Sequence, residues 1–299
     1  MTAADAQHLS TQLADAVESV AQSVVRIESG RRRPASGVVW SDDGLIVTVA
    51  HAVERDDRIG VGLPNGGLVE AEIVGRDPGT DVALLRLALQ TLPAAGFRKL
   101  DGARVGELAL AVGRPGKNAR ASLGVLSALG DSWRTPSGGM LERFVQPDIG
   151  LSIVHSGSVL VDVEARAFGL NTAALLRGAA LTVPTVALER VVSALLEHGR
   201  VRRGYLGVAV HPARLPSELA SSLGQEAALV AVAVQPSGPG QGAGVLLGDV
   251  LLEFGGVRLV TVSELQSVLD ERNIGQELAL RVLRAGRVEV LSLRVGARP

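Results

Sequence analysis

From Val38 to about Leu175 the chain is written in short apolar runs broken by turn residues, and this spacing constrains the fold more than any other feature. Val38-Val39-Trp40 is followed by Ser41-Asp42-Asp43-Gly44 and then by the run Leu45 to Val49. Runs of four to eight β-branched and aliphatic residues between turn signals predict antiparallel strands in a barrel or sandwich. Asn65-Gly66 marks a hairpin. After it Val69, Ala71 and Ile73 alternate with Glu70 and Glu72, as in a strand with one wet face. The 36 glycines suit a fold with many tight turns.

Two stretches depart from this rhythm. Leu9, Leu13, Val17, Val20 and Val24 recur at helical spacing and predict an amphipathic N-terminal helix running into a strand near Val25-Arg26-Ile27. Leu188, Val191, Val192, Leu195 and Leu196 do the same near residue 190, with Pro184 at the start and Gly199 as a stop. The second helix closes a first domain, residues 1–203, and Arg200 to Gly204 forms a charged hinge. Residues 204–299 then alternate five strands (Val208 to Val210, Leu229 to Val234, Val250 to Phe254, Leu278 to Leu283, Val288 to Val295) with two helical segments, Pro216 to Leu223 and Val262 to Arg272. That make-up suits a small half-open sheet with an edge able to accept an added strand.

Three residues carry the chemistry. A serine hydroxyl is a weak nucleophile until a base takes its proton, and Ser156 lies in the small-residue turn Val154-His155-Ser156-Gly157-Ser158. His51 and Asp81 stand upstream, giving the order His, Asp, Ser; subtilisin-like and α/β-hydrolase chains use other orders. Singly, a histidine in an apolar run also fits a packed core and Asp81 a turn cap. Their joint placement favours catalysis.

The phrases Thr48 to Val53, Asp77 to Leu85, Leu123 to Gly130, Phe168 to Ala173 and Arg202 to Val208, taken in order, resemble the HtrA (Deg) serine proteases over about Val24 to Val295. The resemblance implies a mainly β chain: a chymotrypsin-like double β-barrel followed by a small α+β PDZ domain, with Gly248-Asp249 in that domain's glycine-aspartate turn. It assigns Ser156 as nucleophile, His51 as general base and then acid, and Asp81 as the group that holds the imidazole tautomer. It places the oxyanion hole on the backbone of Val154, His155 and Ser156, and substrate contacts at Gly150, Gly169, Leu170 and Asn171. The turn Tyr205-Leu206-Gly207-Val208 would receive a peptide's C-terminal carboxylate; alternatively Tyr205, the only tyrosine, simply packs at the hinge. Implied partners are unfolded proteins or peptides and, for assembly, a homotrimer.

This chain also departs from the family's Gly-Asn-Ser-Gly-Gly-Pro, reading Val154-His155-Ser156-Gly157-Ser158-Val159. A β-branched valine is restricted where the family uses glycine to aim an amide at the oxyanion. Ser158 adds a side chain beside the nucleophile. The expectation is therefore an ATP-independent endopeptidase of unfolded or damaged proteins with low basal activity. The alternative is an impaired pseudoprotease acting as a PDZ scaffold or chaperone. Ile149-Gly150-Leu151 offers no acid to the specificity pocket, so cleavage after small or medium aliphatic residues is expected.

Composition narrows the remaining classes. Thirty basic and thirty-one acidic side chains are interspersed, giving a net charge of −1 and no basic stripe for nucleic acid. The absence of cysteine excludes disulfides and thiolate metal sites. His8, His155, His198 and His211 show no metal-ligand spacing, and no phosphate loop or dinucleotide fingerprint occurs, so no metal or cofactor is expected. No apolar run is long enough to span a bilayer. The sequence as given reads as cytoplasmic, or as periplasmic or secreted if its N-terminus has been trimmed.

Overall fold

The structure, a computed structural model, describes residues 2–29, 34–53, 59–88, 92–150, 156–176 and 178–297. It divides into two compact units, Met1–Val201 and Arg202–Pro299. Mainly β architecture holds in both, as the short apolar runs predict.

Helix α1 (Ala3–Ala21) starts at a capping box in which the Thr2 hydroxyl accepts the Asp5 N–H and Asp5 accepts the Thr2 N–H. It buries Ala16, Val20 and Ala21. The helical spacing of valines extends to Val24, but the helix stops at Ala21 and Val24 opens a strand. The reason is ladder pairing: Val24 and Val25 face Val38 and Gly37 across two antiparallel strands, where β-branched side chains pack best.

Six strands, β1 (Val24–Glu28), β2 (Ala35–Ser41), β3 (Leu45–Val49), β4 (Ile59–Gly62), β5 (Leu68–Asp77) and β6 (Val82–Leu87), close into a barrel in the order β1-β2-β3-β6-β5-β4. The Asn65-Gly66 turn joins β4 to β5 as expected, and on β5 Ala71 is buried between exposed Glu70 and Glu72. A second set comprises β7 (Leu108–Gly113), β8 (Arg120–Gly130), the small hairpin β9 (Trp133–Arg134) and β10 (Met140–Leu141), β11 (Phe144–Pro147), β12 (Val159–Val161), β13 (Ala167–Thr172) and β14 (Leu181–Pro184). Its main sheet runs β11-β8-β7-β12-β13-β14, and its outer strands β11 and β14 come into contact, so the sheet curls into a barrel-like shape. Helix α2 (Thr185–His198) follows, burying Leu188, Val191, Val192 and Leu195. One continuous core joins the first barrel to α1, α2 and the inner faces of β7, β12, β13 and β14.

The second unit contains β15 (Gly204–Tyr205), β16 (Val208–Arg214), α3 (Ser217–Leu223), β17 (Ala227–Val234), α4 (Pro239–Gly242), β18 (Val250–Phe254), β19 (Val257–Arg258), α5 (Val262–Val268), β20 (Glu277–Arg284), β21 (Arg287–Arg294) and β22 (Gly296–Ala297). The sheet order is β16-β17-β18-β20-β21, which leaves β16 as an edge, and β15 pairs with β22. Around Phe254, Leu229, Leu251 and Leu280 this unit has its own core. The expected helix over Val262 to Arg272 is shorter, ending at Val268 before a 3-10 turn over Glu271–Asn273. The glycine- and proline-rich helix α4 and the terminal pair β15–β22 have no periodic signature, being too short to show one.

Candidate active site

Ladder register brings two of the expected residues together. Strands β3 and β6 pair antiparallel with Val49 opposite Val82. The residue after β3 and the residue before β6 are therefore neighbours, and Ala50 donates its N–H to the Asp81 carbonyl at 3.0 Å. A 3-10 turn over Ala50–Ala52 then carries His51. The Asp81 carboxylate takes it at both ends: Oδ1 accepts the His51 backbone N–H at 2.9 Å and Oδ2 lies 2.8 Å from His51 Nδ1. Asp81 is nearly buried while the His51 side chain is 36% exposed, so the imidazole presents its far side outward.

Asp81 adopts φ +57, in the left-handed region, which Asp tolerates better than most non-glycine residues. The turn before it is held by Asp77, whose carboxylate accepts the Gly79 N–H, the Thr80 N–H and the Thr80 hydroxyl. A third donor to Asp81 comes from the other sheet: Thr172, the last residue of β13, gives its hydroxyl to Oδ2. The sequence does not mark Thr172 as a site residue. Its only sequence signal is its place in the phrase Phe168 to Ala173.

Ser156 is 7% exposed and reaches β2 through its backbone. Ser36 donates its N–H to the Ser156 carbonyl at 3.0 Å, and Thr48 of β3 donates its hydroxyl to the Ser36 carbonyl at 2.7 Å. The serine segment is thus tied to the strand that leads directly to His51. Gly157 sits at φ +78, and a Cβ there would fall 2.0 Å from the Ser36 carbonyl oxygen. Only glycine permits so close an approach. Gly157 also donates its N–H to the Asn171 carbonyl, and Asn171 donates its N–H to the Ser158 carbonyl.

Val154, His155 and Leu151 lie outside the described residues. Ser158 is fully buried, and its hydroxyl accepts the Asn171 side-chain amide at 3.0 Å while Thr182 donates to the Asn171 side-chain oxygen at 2.7 Å. The added hydroxyl therefore points into β13 and β14, where Asn171 and Thr182 lie. Of the residues assigned to substrate contact, Gly150 is exposed. Gly169, Leu170 and Asn171 are buried in β13, where the Asn171 backbone bonds to Gly157 and Ser158, and the chain first meets solvent at Ala173, just after the strand. Asp148 is an exposed loop residue. Among the described residues no cluster of His, Asp and Glu is arranged to hold a metal ion.

In the second unit, Leu206 is buried and its carbonyl accepts the Gly240 N–H at 2.6 Å, while Gly207, at φ +70, accepts the Gln235 N–H at 2.7 Å. The Tyr205 hydroxyl bonds to Gln235. This loop opens directly into the edge strand β16, with α5 packed beside it. No described helix is long and apolar enough to cross a membrane.

Residues 35–170 match the trypsin-like peptidase domain family, and residues 204–295 match the PDZ domain family. The chain is 33% identical over 278 residues to a protein of Halomonas elongata named probable periplasmic serine endoprotease DegP-like, covering 90% of this chain and 57% of that one. A protein of the same name from Chlamydia pneumoniae is 31% identical over 289 residues, with 91% and 58% covered. Against these curated relatives the chain spans less than two thirds of their length. A solved structure described as HtrA-type protease AlgW with decapeptide superposes with a TM-score of 0.75 at 31% identity, covering 96% of this chain and 99% of that chain.

Proposed function

Because the chain belongs to the family of HtrA-type serine proteases, we propose that it is an ATP-independent serine endopeptidase of unfolded or damaged proteins, with His51, Asp81 and Ser156 as its triad. The observation that carries this reading is the two-point hold of Asp81 on His51 beside a strand tied to Ser156. Asp81 fixes the tautomer with the proton on Nδ1, leaving Nε2 to take the Ser156 proton as the hydroxyl attacks a peptide carbonyl. The imidazolium then gives that proton to the leaving amine, and water repeats the cycle on the acyl-enzyme.

Basal activity is low in this reading. The backbone amides of Val154 to Ser156 serve the oxyanion, and a valine in place of the family's glycine disfavours the required backbone direction. Loss of one such donor slows turnover roughly a hundred- to a thousandfold. The PDZ domain binds peptide C-termini in the loop Tyr205 to Val208, and the peptide adds a strand to β16. The decapeptide in the similar AlgW structure supports peptide as the ligand class. The periplasmic names of the relatives support the exported of the two compartments, and assembly is a trimer by family likeness.

The test compares wild type with Ser156→Ala on casein and on an unfolded protein, with and without PDZ-binding peptides. Cleavage by wild type alone, with P1 small or aliphatic, supports the reading. Equal rates refute proteolysis and leave the PDZ scaffold. Val154→Gly checks the oxyanion argument separately and is expected to raise the rate.

A further inference from the structure

The least expected buried charge in the first unit is Arg114, which directly follows β7 and is 5% exposed. Its guanidinium is held only by main-chain carbonyls among the described residues: Nε donates to Val24 at 2.7 Å, Nη2 to Ala21 at 2.8 Å and Nη1 to Lys117 at 2.9 Å. A buried cation without a carboxylate is costly. Burial lowers the Arg114 pKa from its usual value, the direction expected of a desolvated cation. What offsets the cost is position. Ala21 is the last residue of α1, and the C-terminal end of a helix carries partial negative charge on its free carbonyls. Arg114 thus fastens the end of α1 and the start of β1 to the end of β7.

The main chain of the same residue points the other way. Arg114 donates its backbone N–H to the Ser36 hydroxyl at 2.8 Å. Ser36 is fully buried and spends all its polar groups on neighbours: its hydroxyl on Arg114, its N–H on the Ser156 carbonyl, its carbonyl on the Thr48 hydroxyl. Two hydrogen bonds therefore separate the anchored arginine from the backbone of the nucleophile. The same serine also touches β3, the strand that leads to His51.

We propose that Arg114 is a positioning residue for Ser156, acting through Ser36 and anchored on the C-terminal end of α1. The inference rests on the triad reading above and adds to it a device: helix α1 sets the place of the Arg114 amide, and the amide sets the place of Ser36 under the serine turn. Arg114 touches no reacting atom. Its loss leaves the substrate pocket in place and displaces the nucleophile, so it acts on kcat rather than KM.

The test uses the full chain with Arg114→Ala, Ser36→Ala and the double variant. Readouts are kcat and KM on a chromogenic peptide with an aliphatic P1 residue, and the rate at which a fluorophosphonate labels Ser156. Each single variant is expected to lower kcat and labelling about tenfold or more with KM within about twofold. The double variant is expected to lose no more than the worse single one, because both cut one chain of contacts. Free guanidinium at non-denaturing concentration is expected to recover Arg114→Ala but not Ser36→Ala, and sodium chloride at equal ionic strength to recover neither. Additive losses, a wild-type kcat in Arg114→Ala, or no recovery specific to guanidinium would overturn the proposal. Should Arg114→Ala fail to fold, Arg114→Lys, which keeps the charge without the fork, decides: a wild-type kcat overturns it and a lowered kcat with unchanged KM supports it. A wild-type chain that neither labels nor cleaves refutes the protease reading, and this inference with it. Labelling of wild type with unaffected variants refutes this inference alone.

Discussion

Asp81 accepts two hydrogen bonds from His51 on one carboxylate, one from the ring Nδ1 at 2.8 Å and one from the backbone N–H at 2.9 Å. The second bond fixes where the imidazole starts from, and the first fixes which nitrogen carries the proton. Asp81→Asn separates the two. Asparagine tolerates the left-handed backbone at φ +57 and can still accept the backbone N–H. Its amide nitrogen, facing Nδ1, would donate and drive the proton to Nε2, the wrong tautomer for a base. The expected outcome is an unchanged thermal midpoint with kcat lower by roughly a thousand- to ten-thousandfold, read from turnover on a peptide substrate beside a circular dichroism melt.

Thr172 should matter chiefly through its bond to Asp81. Its hydroxyl donates to the carboxylate and accepts the Ala174 N–H at 3.0 Å. Thr172→Val keeps the shape and removes both bonds. A lost hydrogen bond to a charged group is worth about 1.5 to 3 kcal/mol, so kcat/KM is expected to fall roughly ten- to a hundredfold. Thr172→Ser should restore most of it, and a serine variant as impaired as the valine one would mean that packing, not the hydroxyl, sets the effect.

Much of this arrangement is legible in the sequence because strand and helix signals are local. The run Leu45 to Val49 is β3 residue for residue, and Val250 to Phe254 is β18. The helix ending before Gly199 follows from a periodic apolar face and a glycine stop. What the sequence conceals is which backbone groups meet across the fold. Nothing local to Ser36 marks it as the junction of three segments 12, 78 and 120 residues away, because its hydroxyl, N–H and carbonyl act only after both sheets have formed. Likewise Asn171 carries an amide suited to substrate, yet Ser158 and Thr182 occupy it inside the sheet. The helical spacing that reaches Val24 is real, but long-range pairing with Val38 outweighs it.

Gly157 and Gly150 make a matched pair for testing the serine turn. Gly157→Ala places a Cβ 2.0 Å from the Ser36 oxygen at φ +78, whereas a Cβ at Gly150 meets nothing within 4 Å. Backbone strain of this kind costs of order 1 to 3 kcal/mol before the clash is counted. Gly157→Ala is expected to lower the urea midpoint and abolish fluorophosphonate labelling, while Gly150→Ala leaves the midpoint unchanged. A labelled Gly157→Ala variant would show that the turn can shift without cost to the reactivity of Ser156.

Acid stability should depend on Asp162, in the turn after β12. Its Oδ1 accepts the N–H groups of Glu164 and Arg166, and its Oδ2 accepts from Arg98 at 2.7 Å and from the Arg166 side chain at 2.9 Å. Arg98 is itself held over the Phe168 ring. Burial alone would raise the Asp162 pKa, but these donors together outweigh it and leave the carboxyl below its usual 3.8. A carboxylate whose folded pKa is depressed contributes stability that is fully present above the unfolded value and lost as pH falls through the folded one. Asp162→Asn is therefore expected to be less stable than wild type by about 1 to 3 kcal/mol near neutral pH, since two arginines lose a charged acceptor. The gap should narrow as pH drops below the usual 3.8, because wild type then protonates towards the state the variant mimics. Urea midpoints of both proteins, taken from neutral pH down into this acid range, check it: a gap that stays constant would assign the stabilisation to the turn geometry rather than to the charge.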